Sequence, residues 1–185
     1  MHFPRLMVAA VAALAVALPS YAIAQVESTP VPAPKKPNFS SMSFMIGTWT
    51  CSTKSARRPA AYVTTTTYTL DPSGWWIDAT SSTNTTKWIP EKLTSMDKIT
   101  YDSDTHRWVD TTIGPQNGYG LAFSTGWSGD QMTWHDVSFA AGPDISAQTD
   151  NVITKVSNTK TTSSSSFTEA KTGRHVSVTG VCTKH

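Results

Sequence analysis

The chain has 185 residues, with 15 Lys and Arg against 13 Asp and Glu, and only two cysteines. A formal charge of +2, lowered by one if Arg5 leaves with a leader, gives no electrostatic footprint for nucleic acid or anionic lipid. Two cysteines exclude a four-thiolate metal centre, and they are too far apart in sequence for a Cys-x-x-Cys redox motif.

Residues 1–24 read as a signal peptide: Arg5 supplies a positive start, Leu6 to Leu18 an apolar run, Pro19 a break and Ala22-Ile23-Ala24 the small residues before a cut at Gln25. The run falls short of the roughly 20 apolar residues that span a bilayer, so no membrane span is expected after cleavage. The expected location is periplasmic or secreted. Pro30, Pro32, Pro34 and Pro37 make residues 25–38 a Pro-rich, extended tether. Residues 39–185 are then the folded domain, large enough for one core.

Roughly one residue in four is Ser or Thr, aromatic and β-branched residues hold most apolar positions, and no stretch sustains a helical period. After one short helical turn over Phe39 to Ile46, the chain predicts a succession of strands. They run over Gly47 to Ser55, Ala61 to Leu70, Trp75 to Thr83, Leu93 to Tyr101 and Arg107 to Ile113. Gly118 to Trp127, Gln131 to Phe139, Val152 to Ser157, Ser163 to Ala170 and Val176 to Lys184 follow. Turn residues such as Asp71-Pro72-Ser73-Gly74 separate them, and Pro90 keeps Asn84 to Pro90 irregular. Gly118 to Trp127 alternates most cleanly. Tyr119, Leu121 and Phe123 lie on one face and Gly120, Ala122 and Ser124 on the other, so the large side chains are expected to point inward.

Nine to ten antiparallel strands at meander spacing predict an all-β, up-and-down barrel. Closure pairs the first strand with the last, and these carry Cys51 and Cys182. Export to an oxidising compartment makes a Cys51–Cys182 disulfide the expected state.

Ile46-Gly47-Thr48-Trp49 resembles the Gly-x-Trp signature of lipocalin-like (calycin) barrels. Thr100-Tyr101-Asp102, with Trp108 after a short turn, resembles poorly characterised bacterial lipocalin-like proteins. More distantly, the Gly-Thr-Trp start is similar to that of nitrobindins, which are lipocalin-like haem barrels. The resemblance implies that Gly47 turns the chain beneath the barrel and that Trp49 plugs its closed end.

Tyr62, Tyr68, Trp75, Tyr119, Leu121, Phe123 and Trp134 are the candidate lining of a small-molecule cavity, and the same residues also suit a solid core. His135 is the best candidate for an inward imidazole. Its neighbour Asp136 must face the other way, so the two cannot form a His–Asp couple. His106, His175 and His185 show no metal-ligand spacing, Asp102 and Asp104 read as a turn, and Glu91 and Asp97 define no carboxylate pair. No catalytic residue and no metal site is expected. The leading expectation is a barrel that binds a small, mainly apolar ligand without converting it. The alternatives are a haem-binding or isomerase-type barrel using an inward histidine, and a filled barrel acting as an envelope interaction module.

Overall fold

The computed structural model describes residues 33–185 apart from 116, 141–149 and 170. The signal-peptide reading, most of the tether and nearly all of the loop between Ala140 and Asp150 lie outside these residues. Ser40–Met45 forms a 3-10 helix ahead of the first strand. The strands are β1 (Gly47–Ser55), β2 (Tyr62–Leu70), β3 (Ile77–Thr83), β4 (Leu93–Asp102), β5 (Arg107–Ile113) and β6 (Tyr119–Ser124). After them come β7 (Trp127–Ser128), β8 (Gln131–Ala140), β9 (Asp150–Ser157), β10 (Lys160–Thr168) and β11 (His175–Lys184).

Each of β1 to β5 pairs antiparallel with its successor, β11 pairs with β1, and β6 pairs with β8. Ten strands therefore close into an antiparallel barrel, with β7 as a two-residue addition beside β8. Closure leaves neither end of the meander as a bare edge. Cys51 lies directly opposite Cys182 in the β1–β11 register, and the two are joined by a disulfide.

The expected strand Gly118 to Trp127 ends early, at Ser124. Gly126 has a φ of 100°, and a Cβ there would lie 3.4 Å from the Trp108 indole nitrogen. The chain bends over Trp108 at this glycine, which breaks the pleat and leaves Trp127 to pair separately with Met132.

Period-two alternation gives each strand an inward row. The floor of the barrel, at the end plugged by the 3-10 helix, is closely packed. Met42, Phe44 and Met45 of the helix meet Trp49, Ile77, Ile99, Trp108, Met132 and Trp134 there. Trp49 is 2 % exposed and donates its indole N–H to the Met45 carbonyl at 2.7 Å. Lys184 from the last strand donates to the Phe44 carbonyl at 3.0 Å and fixes the helix beneath β11. At the far end, buried Glu169 accepts from Arg57 at 2.8 Å and from Arg174 at 2.7 Å, tying the β1–β2 loop to the β10–β11 loop.

Candidate functional site

Directly above the floor the inward rows change character. Two inward steps repeat one pattern, Trp108-Val109-Asp110 on β5 and Trp134-His135-Asp136 on β8, and Asp97-Lys98-Ile99 on β4 is its reverse. Residues two apart share a face, so each carboxylate stands one step above a buried apolar side chain. In register, Asp110 and Asp136 flank Ala122, while Asp97 lies opposite Thr112 with Ala79 on its other side. Tyr68 stands beyond Ala79 in that same row. Across these alanines the phenol and the carboxyls are close enough to act on one another: Asp97 and Asp110 on Tyr68, and Asp97 and Asp136 on Asp110.

Burial is uneven above the floor: Thr66, Thr161 and Gly180, and Ser55 and Val176 at the far end, are as buried as the floor itself. The floor residues are closed to solvent, whereas Thr64, Ser81, Asp97, Asp110, Thr112, Asp136, Asn151, Ser163 and Ser165 point inward yet remain only half-buried. Inward side chains in a filled barrel would be buried like the floor. The inward polar residues named above are thus less tightly enclosed than the floor, and at the far end Tyr62, Leu93, Phe167 and Val178 are half-buried apolar neighbours.

The carboxyls are electrostatically uncomfortable. Burial, with Asp97 and Asp136 nearby, pushes Asp110 up to about 8. Its Oδ1 is wholly buried and has no hydrogen-bond partner. Burial also raises Asp97, against the opposing effect of Thr112, whose hydroxyl donates to Asp97 Oδ1 at 2.6 Å. The Tyr68 hydroxyl is pushed well above the usual phenol range by burial first, then by Asp97 and Asp110. Among the described residues, no three His, Cys, Asp or Glu side chains are grouped to hold a metal ion.

Three of the residues expected to line a cavity face inward: Tyr62 at the far end, Tyr68 in the carboxylate layer and Trp134 in the floor. Trp75 lies in the turn before β3, where its carbonyl accepts from Thr100. The expected inward register of Tyr119, Leu121 and Phe123 is reversed. Ala122 and Ser124 are buried inside, at 8 % and 2 % exposed, while Tyr119 is 55 % exposed. The small residues are needed there because Trp108 and Trp134 fill the floor from the neighbouring strands. Outside, the Arg107 guanidinium covers the Phe123 ring at 3.6 Å and supplies the apolar cover that the register argument assigned to a core.

His135 is likewise not inward. It stands outside the barrel, with Nδ1 2.8 Å from Asp150 Oδ1 and its side chain 58 % exposed. Alternation from buried Met132 and Trp134 puts His135 outside and gives Asp136 the inward place, before the bulge between Leu121 and Ala122 in the β6–β8 pairing. The alternative built on an inward His135 loses its residue. The sequence reading missed the carboxylate layer because it sought Asp97's partner along the chain, at Glu91. The repeated Trp-x-Asp on strands was the available signal.

No family model matches the chain, and no curated protein matches it. The closed ten-stranded antiparallel barrel is consistent with a calycin-type fold.

Proposed function

We propose that this chain is an exported, lipocalin-like barrel that binds a small ligand in the lumen above the aromatic floor and does not convert it. The observation that carries the reading is the contrast in burial. Trp49, Trp108 and Trp134 are closed off, while Ser81, Asp97, Asp110, Asp136 and Asn151, inward above them, are only partly buried. A concave space with apolar walls and a few convergent polar groups is the usual form of a small-molecule site. Tyr62, Leu93 and Phe167 suit a mainly apolar body, and the carboxylate layer suits one polar group at its inner end. The disulfide, the apolar leader and the Gly-Thr-Trp start support the exported, lipocalin-like part of the proposal.

Native mass spectrometry of the protein recovered from the periplasm or medium tests this directly. A bound mass is expected in the parent and should vanish in Ser81→Trp, which fills the lumen. Ser81 faces inward, is only partly buried and bonds across to Thr66, so a hollow barrel would give the indole room and leave the variant folded. If Ser81→Trp instead unfolds as an overpacked core does, the barrel is solid and the reading fails.

A further inference from the structure

We infer that the lumen selects ligands carrying a protonated amine, which is held at Asp110 with Asp97 and Asp136 around it; this rests on the lumen reading above. The orphaned Asp110 Oδ1 is the starting point. A buried carboxyl oxygen without a partner is destabilising, and buried polar groups nearly always find one. Asp110 faces inward, and the residue as a whole is only partly buried.

The charges around it define what fits. Asp97 faces Asp110 from β4, Asp136 from β8 and the Tyr68 hydroxyl from β2, while β6 offers only Ala122 between the two acids. An anion would meet repulsion from each of these carboxyls that is ionised. An ammonium gains from all three carboxyls and donates to the orphaned oxygen in a charge-assisted hydrogen bond. Several of the protein's own cations near the barrel's ends are held elsewhere, among them Arg58, which donates to the Trp88 carbonyl. Lys184 bonds the Phe44 carbonyl, Lys155 lies over the Phe44 ring, and Arg57 and Arg174 hold Glu169. A metal ion is the competing cation, but the acidic side chains are not grouped closely enough to ligate one among the described residues. A compact organic cation needs no such convergence.

The proton on Asp110 gives the inference a signature. With its carboxyl raised to about 8, an arriving ammonium must displace a proton below that pH. An alkylamine, like a lysine side chain, keeps its own charge to roughly pH 10. Affinity should therefore rise about tenfold per pH unit from pH 6 toward 8, with proton release, and level off above 8.

Isothermal titration with tryptamine, n-hexylamine, 3-methylindole and indole-3-propionate tests this in the full mature chain, in buffers of different ionisation enthalpy. Expected are binding of one or both amines, proton release below pH 8, no binding of the propionate, and a tenfold or greater loss in Asp110→Asn. The inference is overturned if neither amine binds, if 3-methylindole or the propionate binds as tightly, or if Asp110→Asn binds amines as the parent does. Failure of the lumen itself would be seen separately, as unfolding of Ser81→Trp.

Discussion

Asp110 carries an unsatisfied carboxyl oxygen and Trp49 a hydrogen-bonded indole, and their substitutions should respond differently to pH. Folded Asp110 holds its proton to about pH 8, whereas the unfolded residue loses it near 3.8. The folded state binds more protons in that window. Its stabilising contribution is fully present below pH 3.8, declines as pH rises, and is gone above about 8, at up to about 1.4 kcal/mol per pH unit. Raised Asp97 adds in the same direction. The urea midpoint of the parent should thus fall between pH 5 and 8, and Asp110→Asn should flatten that fall, because its amide does not titrate. A parent midpoint that is level or rising over this range would place the carboxyl in solvent. Trp49→Ala should lower stability by about 3–5 kcal/mol at any pH, since it empties the floor and orphans the Met45 carbonyl. An unchanged midpoint would mean that Trp49 plugs nothing.

At the scale of strands, the sequence was readable where one face is uniformly buried and the turns carry Gly, Pro or Asp. β1 and β5 begin and end where alternation and turn residues put them, and the other strands shift by a few residues. Facing was harder. On β6, period two shows two faces but not which one meets bulky neighbours, and that depends on Trp108 and Trp134 from other strands. The acid layer was hidden for the same reason: Asp97, Asp110 and Asp136 become neighbours only through cross-strand register. Register also explains Gly180, which alternation alone does not. A Cβ there would lie 2.6 Å from Ser163 Oγ on the paired strand, closer than such contacts tolerate. Gly180→Ala should destabilise by about 1–3 kcal/mol. Adding Ser163→Ala should recover part of that loss, and additive urea midpoints for the pair would show that the two positions do not touch.

The whole molecule depends on one closure. Nine of the ten barrel pairings join strands that are adjacent in sequence or separated only by β7, and their turns are short or moderate. The tenth, β1 with β11, brings together segments 131 residues apart, so its loop-closure entropy is the largest of the ten pairings. Cys51 and Cys182 sit opposite each other in that pairing, next to inward Thr64 on β2 and buried Thr161 on β10. A crosslink there removes open conformations from the unfolded chain without moving the folded one, worth up to about 5 kcal/mol for a loop of this length. Replacing both cysteines by serine should leave the far-ultraviolet signature of the barrel intact while lowering the urea midpoint by the equivalent of about 2–5 kcal/mol. The unfolded state of the variant should also be more expanded, so its urea dependence should steepen. Reduction of the parent should reproduce the variant's midpoint, because the thiols and the serines leave the same ring open. If oxidised and reduced protein unfold at the same urea concentration, β1–β11 pairing closes the barrel unaided and the disulfide does not hold the ends together.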